Sequence, residues 1–491
     1  MGDVNEKTLK IVIITHIGYL VLIVFGYLRD LLRALGIEKN ALAFEKNRKG
    51  YAPLYRSFES FYTRNMYRRF RDAWNVPIAS IPGPTVSIME RVTDDYNWSF
   101  RLTGKTKEVI NLGSYNYLGF AENNGKRIDS VERAINEYGI GVASTRHEFG
   151  TTAMHRKLEN QMSRFLGVED CIVFGMGFAT NSTNLPTLVG KGCLILSDEF
   201  NHASLILGSR LSGATIKIFK HNGNITDMKD LERKLREAVV NGEPRTHRRW
   251  KKILIVVEGI YSMEGTVVDL PTIIQLKKKY KAYLYLDEAH SIGAMGSNGK
   301  GVIDFFGCDP KDVDIIMGTF TKSFGSAGGY IAGSKQLVDY IRINSHSFGY
   351  ATSMSPPIIE KIVTVLNVLS DEKEGKERIN RLAQNTSYFR TKLKELGFTI
   401  TGNDHSPVVP LMIYIIGTLP EFVREAHRNG IATVGVGYPA TALTGSRIRF
   451  CLSASHTREM LDETLRVVDQ IGDKLWIKYS KVSSRRSHTG N

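Results

Sequence analysis

Lys322 lies in Gly318-Thr319-Phe320-Thr321-Lys322-Ser323-Phe324-Gly325, and 35 positions earlier Asp287 closes the apolar run Tyr283-Leu284-Tyr285-Leu286. An amine set among hydroxyls and glycines, downstream of an acid at a strand end, is the pair that pyridoxal phosphate (PLP) chemistry requires. The amine can condense with the cofactor's aldehyde. The acid can keep the pyridine nitrogen protonated, so that the ring accepts electrons from a substrate carbanion. Either segment alone is weak, since most lysines are merely solvated and most strand-end acids are caps or turn formers. Together, in this order, they make PLP catalysis the leading reading.

Four more segments point the same way. Phe174-Gly175-Met176-Gly177-Phe178-Ala179-Thr180-Asn181 joins an apolar run to a helical stretch, and its glycines would let backbone amides approach a phosphate at a helix N-terminus. His202, in Asn201-His202-Ala203-Ser204, follows another apolar run, where an imidazole could stack on a pyridine ring. His290 stands three residues beyond Asp287, within reach of a phenolic oxygen. Arg447 and Arg449 alternate around Ile448, and one guanidinium could bind a substrate carboxylate through two parallel hydrogen bonds. Taken singly, each has an ordinary explanation: a tight connection, a structural histidine, a pair of surface arginines.

Competing motifs fail on single residues. His147-Glu148 is followed by Thr151 where a zinc HExxH motif needs histidine. Gly299-Lys300 is followed by Gly301 rather than Ser or Thr, and Ala294 stands where a P-loop's first glycine belongs. Cys171, Cys193, Cys308 and Cys451 are scattered without a CxxC pair, which argues against a disulfide framework or a zinc site. No metal is expected. The net charge of +15 raises nucleic acid as a partner. The arginine-rich segment, however, neighbours an apolar stretch rather than base-reading or stacking groups, so no nucleic acid is expected.

The elements that must position these groups can be read coarsely. A chain of 491 residues, 42% hydrophobic and 23% charged, is long enough for two folded domains with appendages. Between 109 and 345, apolar runs at 171–174, 193–196, 253–257, 282–286 and 313–317 have the length of buried parallel strands, and helical stretches such as 152–166 and 226–240 separate some of them. This predicts an α/β major domain with a largely parallel sheet, whose ligand gathers at the strands' carboxyl ends, where Glu258 and Asp287 fall. Residues 346–470 predict a smaller α+β domain, with a long helix near 357–396 and strands near 408–415 and 447–453. Residues 471–491 read as a basic tail.

At the other end, 18 residues from Ile11 to Leu28 carry no Lys, Arg, Asp or Glu. As a helix they span roughly 27 Å, enough to cross a hydrocarbon core; a helix lying on the membrane surface is the alternative. Arg29, Arg33, Lys39, Lys46, Arg48 and Lys49 follow, against Lys7 and Lys10 before, which places the bulk of the chain on the cytosolic side. We therefore assign 1–50 to an anchor and linker. Within 51–108, Tyr51, Tyr55, Phe58, Tyr62, Met66, Phe70 and Trp74 recur at helical spacing with Arg56, Arg64, Arg68, Arg69 and Arg71 between them. That is an amphipathic helix, laid either on anionic lipid or on the catalytic body. Pro77, Pro82, Gly83 and Pro84 then break the chain.

The segments Asn201–Ser204, Glu258–Gly265, Asp287–Gly293 and Gly318–Gly325 together resemble the α-oxoamine synthases, PLP enzymes of the aspartate aminotransferase-like fold type I, over residues 108 to 470. The Gly318–Gly325 sequence, the Tyr438-Pro439-Ala440-Thr441 loop and the N-terminal apolar segment most resemble the catalytic long-chain-base-2 subunits of eukaryotic serine palmitoyltransferases. The resemblance implies that Lys322 holds PLP and later removes an α-proton, that Asp287 pairs with the ring nitrogen and His290 with its phenolic oxygen, and that His202 stacks on the ring. It implies Thr319, Thr321, Gly177, Phe178 and Ser262 as further cofactor contacts. Arg449 is implied as the substrate carboxylate anchor, with Arg447 as helper and Asn116 and Tyr117 as further substrate contacts. An arginine that some bacterial relatives carry before the Pro439 loop appears here as Gly437.

The reaction implied is a decarboxylating condensation of L-serine with palmitoyl-CoA that gives 3-ketodihydrosphingosine, the opening step of sphingolipid synthesis. The partners implied are a long-chain-base-1 subunit lacking the lysine, toward which Thr352-Ser353 would reach, and small regulatory membrane subunits. The location implied is the endoplasmic reticulum membrane. Two rival readings stay open: another α-oxoamine synthase that condenses glycine or alanine, and a non-catalytic scaffold subunit.

Overall fold

The computed structural model describes residues 9–37, 49–52, 54, 61–221, 228–370 and 373–480. Thirteen strands occur among them. An N-terminal hairpin is formed by β1 (Thr85–Val92) and β2 (Arg101–Asn111). The central sheet is built from β3 (Asp170–Phe174), β4 (Leu194–Asp198), β5 (Thr215–Phe219), β6 (Ile253–Glu258), β7 (Tyr283–Asp287), β8 (Ile315–Thr319) and β9 (Gly329–Gly333). The C-terminal part contributes β10 (Val408–Tyr414), β11 (Ile431–Ala432), β12 (Val434–Val436) and β13 (Ser446–Cys451).

The central sheet has the order β3-β9-β8-β7-β6-β4-β5. Its five strands from β5 to β8 run parallel, and β9 is antiparallel to both β8 and β3. The near-continuous apolar runs of β6 and β7 follow from this burial, because helices cover both faces of the sheet. All five sequence-predicted strands are present. The sequence reading passed over β5 and β9: β5 alternates as a partly exposed strand near the edge, and β9 (Gly-Tyr-Ile-Ala-Gly) is bounded by glycines that read as turn.

Register brings the strands' carboxyl ends into line. Glu258 pairs with Asp287, Asp287 with Met317, and β8 runs two residues further to Thr319, which pairs with Gly329. Gly329 also pairs with Phe174 at the end of β3, so the Gly175–Gly177 turn and the Thr319–Lys322 turn leave the sheet side by side.

In the C-terminal part β13 lies between β10 and β12, with Arg449 opposite Pro410 and Val434. The long helix expected near 357–396 is two helices, Pro356–Ser370 and Glu374–Glu395. The last helix runs from Arg458 to Leu475, and Ile471 and Ile477 are buried, so the packed chain continues past the position where the tail was expected to begin. Residues 481–491 lie outside the described residues.

The Leu9–Ala34 helix holds the expected apolar segment, and residues 11–34 are long and apolar enough to cross a membrane. One face, carrying Thr15, Tyr19, Gly26 and Arg33, is nonetheless buried against the protein. The opposite face exposes Ile13, Ile17, Leu20, Val24, Leu28 and Leu31. Asp30 joins this helix to the next segment through Arg64 at 2.6 Å. Of the expected amphipathic helix, Tyr55, Arg56 and Phe58 lie outside the described residues, and helical turns run from Phe61 to Ala73. Among its described arginines, Arg64, Arg68 and Arg71 are engaged by the protein, while Arg69 is exposed. Arg68 is buried over the Trp98 ring, and Arg71 donates to the Trp98 carbonyl.

Candidate active site

Two polar turns and two strand ends build the site. Met176 caps the Gly177–Leu188 helix without a side-chain hydrogen bond, and the first backbone bond of that turn is Thr180 N to Met176 O. The amides of Gly177, Phe178 and Ala179 therefore precede the helical ladder, in the position where helices bind anions. Position 177 must be glycine for space: a Cβ there would sit 2.5 Å from Thr319 Oγ1. Thr319 Oγ1 in turn lies 2.8 Å from Thr321 Oγ1 and donates to Gly328 O at 2.8 Å. A helix N-terminus and the Thr321 hydroxyl thus converge as donors suited to phosphate, with Thr319 bracing the turn through Gly328.

Asp287, almost wholly buried at the end of β7, accepts from Ala289 N (2.8 Å) on Oδ1 and from Asn181 Nδ2 (2.7 Å) on Oδ2. Asn181 is itself held by Tyr285, whose hydroxyl donates to Asn181 Oδ1 at 2.7 Å, and it donates to Ser204 Oγ at 2.9 Å. Each Asp287 oxygen keeps a lone pair for a protonated ring nitrogen, so the carboxylate is oriented without being consumed. The sequence reading quoted Asn181 but gave it no role. Its helix position sets it beside a residue 106 positions away, which no local pattern reveals.

His202 caps the Ala203–Ser212 helix, its Nδ1 accepting from Ser204 N at 3.3 Å and lying 2.7 Å from Ser204 Oγ. That network leaves the neutral ring's proton on Nε2. Its backbone N–H donates to Glu258 Oε1. Burial lowers the His202 pKa, Asp287 opposes that shift and the Lys322 amine adds to it. Burial pushes the Glu258 carboxyl well above the ordinary range, and the neighbouring Asp287 charge adds to this.

On the opposite side, Tyr115 is the hub that the sequence reading missed. The Lys322 amine lies 5.6 Å from its ring centroid, the Arg449 guanidinium 4.7 Å, and the His290 ring stands edge-on at 5.3 Å. Tyr115 belongs to the segment in which Asn116 and Tyr117 were expected to touch substrate. Tyr117 is fully buried, with its hydroxyl 2.9 Å from His290 Nδ1, so it orients that imidazole. Asn116 is tied to backbone, donating to Pro82 O at 3.1 Å and accepting from Ala121 N at 3.2 Å, and these bonds are structural. Burial drives the His290 pKa well below its ordinary value, and Lys322 and Arg449 add to the shift; neutral His290 can present one N–H and one acceptor.

Burial also lowers the Lys322 amine to about 8, against the raising influence of Asp287 and Glu258. About a tenth of it is then neutral at pH 7. Arg449 is buried, its Nε has no hydrogen-bond partner, and Nη1 approaches Met263 Sδ at 3.7 Å. An orphaned guanidinium donor beside an amine is a place built for an anion.

Arg447 differs. Its Nε donates to Gly445 O (2.7 Å), and Nη1 donates to Met263 O (2.7 Å) and lies 3.4 Å from Glu264 Oε1. It lies on the same face of β13 as Arg449, and both reach Met263, but its guanidinium is taken up by internal bonds. Ser262 is buried in the turn after β6, and no described hydrogen bond links it to the other site groups. Ser353 is buried with its Oγ 2.9 Å from His155 Nε2, while Thr352 is exposed and its carbonyl lies close to Gly175. Donors for a phosphate, a buried carboxylate for a ring nitrogen and a depressed amine all fit pyridoxal phosphate.

Comparison with known proteins adds three findings. Residues 107–468 match the family model for aminotransferase class I and II. The chain is 57% identical to serine palmitoyltransferase 3 of Homo sapiens over 97% of this chain and 87% of that one, and 51% identical to serine palmitoyltransferase 2 of Caenorhabditis elegans over 96% and 84%. Its fold is similar to that of Sphingomonas wittichii serine palmitoyltransferase (TM-score 0.74, 26% identity, 88% of this chain and 100% of that one). It is equally similar to a structure described as SPT with PLP internal aldimine (TM-score 0.74, 26% identity, 86% and 100%).

Proposed function

The chain belongs to the aminotransferase class I and II family and, within it, to the serine palmitoyltransferases, and on that premise we propose that it is a catalytic subunit joining L-serine to palmitoyl-CoA with loss of CO2 and CoA. The observation that carries this reading is the gathering of the Lys322 amine, the Arg449 guanidinium and the His290 imidazole around Tyr115. When bound, pyridoxal phosphate supplies an aldehyde that captures amines and a ring that takes up the electrons released at the amino acid's α-carbon.

The residues that would hold it are Lys322, Asp287, His202 and His290, with Gly177, Phe178, Thr319 and Thr321 at the phosphate. Ser262 is a further candidate on family resemblance. Lys322, with its depressed pKa, takes a proton from the α-carbon and later returns one. Asp287, oriented by Asn181 and Ala289, holds a proton on the heterocycle nitrogen. Arg449 binds the serine carboxylate until it leaves as CO2; its unpartnered Nε and its burial make that bond strong.

The exposed face of the Leu9–Ala34 helix attaches the enzyme to the endoplasmic reticulum membrane, with the catalytic body in the cytosol. A membrane location matches a lipid product and an acyl donor with a long apolar chain. The active assembly is a heterodimer with a long-chain-base-1-like subunit, accompanied by small membrane regulators. Exposed Thr352 beside Gly175 supports a partner approaching the phosphate turn. Co-expression of the full chain with such a subunit, followed by measurement of CoA release, tests the reading. Serine should outpace glycine and alanine, palmitoyl-CoA should be accepted, and Lys322→Ala should abolish turnover while assembly persists. Faster turnover of glycine would make the chain another α-oxoamine synthase; failure to take up cofactor would make it a scaffold.

A further inference from the structure

We infer that the N-terminal helix and the extension after it are positioning elements for the serine carboxylate, acting through the 437–445 loop between β12 and β13; the inference rests on the assignment of Arg449 above. Three aromatic side chains from the first 74 residues hold that loop. Trp74 Nε1 donates to Gly435 O in β12 at 2.7 Å. The Tyr62 hydroxyl donates to Tyr438 O at 2.9 Å, across 376 positions of sequence. The Tyr19 ring stands edge-on to the Tyr438 ring at 6.3 Å, and its buried hydroxyl faces that of Ser446, the first residue of β13.

The two arginines of β13 show why this matters. Arg447 is fixed by its own bonds to Gly445, Met263 and Glu264. Arg449 keeps an unpartnered Nε and touches Tyr115, Cys451 and Met263 Sδ without bonding a main-chain carbonyl as Arg447 does, so the backbone of β13 largely sets where its guanidinium sits. That backbone pairs with β12 through Val434–Arg449 and Val436–Arg447 contacts, so a shift in the Gly435–Tyr438 stem moves Arg449 relative to Tyr115.

Position 437 reinforces the point. A Cβ there would lie 2.9 Å from Ile416 Cδ1 and 3.3 Å from Leu419 Cδ2, so a side chain at 437 would have to displace both. With no second guanidinium at the loop, carboxylate affinity depends on how firmly the loop is seated. The aromatic seam formed by Tyr19 of the apolar helix with Tyr62 and Trp74 of the extension provides that seating, so the membrane-attached end of the chain bears directly on amino-acid binding.

The experiment uses the full chain with its partner subunit and the variants Tyr62→Phe, which keeps the ring and removes one hydrogen bond, and Trp74→Phe, which removes one hydrogen bond and one fused ring. Steady-state KM and kcat are measured for serine and palmitoyl-CoA, and serine binding is titrated through the visible spectrum of the cofactor-loaded protein. Each variant should raise serine KM and the titrated Kd roughly two- to tenfold, with kcat and the palmitoyl-CoA KM within about twofold. Unchanged serine binding in both variants overturns the inference. So does a joint fall in kcat and thermal stability at constant serine KM, the signature of a merely structural contact. If the wild type binds serine but releases no CoA, the functional reading fails while the titration still decides the inference.

Discussion

Replacing Asn181 by Ala tests whether Asp287 acts as an oriented charge. Asn181 Nδ2 donates 2.7 Å to Asp287 Oδ2, while its carbonyl takes the Tyr285 hydroxyl at 2.7 Å. Hydrogen bonds to charged groups contribute about 1.5–3 kcal/mol. If the bond acts fully when the heterocycle nitrogen is protonated, its loss lowers kcat/KM for serine by roughly 10- to 150-fold. A separate effect falls on folding. The Tyr285 hydroxyl is fully buried and would lose its acceptor, which costs about 1–3 kcal/mol of stability. The assay is CoA release by the assembled enzyme at saturating cofactor, with thermal unfolding measured in parallel. Tyr285→Phe with Asn181 retained is the control; it removes the hydroxyl and leaves the Asp287 bond, so it should lower stability less than Asn181→Ala and leave kcat/KM within about threefold. An Asn181→Ala enzyme within threefold of wild type would refute the reasoning that Asp287 needs a second donor.

Three other outcomes follow. Because the Lys322 amine sits at about 8, uptake of pyridoxal phosphate by cofactor-free protein should speed up with rising pH and level off above about 9, since the neutral form is the nucleophile; a rate that climbs past pH 10 would mean an unshifted lysine. Gly177→Ala drives a Cβ against Thr319 Oγ1 and should weaken cofactor binding by about tenfold, read by equilibrium dialysis, whereas unchanged affinity would remove this turn from the phosphate site. Arg449→Ala should raise serine KM by about two orders of magnitude, whereas Arg447→Ala should mainly lower thermal stability; the reverse pattern would exchange the two assignments.

Lys322, Asp287, His202 and His290 were legible because each sits at a strand end or tight turn whose local composition marks it. The parallel sheet was legible because buried strands are continuous apolar runs, and such runs need no distant neighbour to be recognised. The β1–β2 hairpin escaped notice since its exposed, charged strands alternate weakly. The apolar helix was plain from its composition, but not that one face packs on the catalytic body, because lipid and protein interior accept the same side chains.

Sequence alone determined the chemistry, for an amine, an acid and a glycine turn in this order leave few alternatives. Only the tertiary structure decided which groups steer that chemistry. Tyr115 became the hub, Asn181 the brace of Asp287, and Arg447 a guanidinium tied by internal bonds to Gly445, Met263 and Glu264. Each of those roles depends on partners more than 100 positions distant, such as Asn181 with Asp287 and Tyr115 with Arg449. A local pattern records what a side chain can do; the packing of remote strands and helices records what it is left free to do.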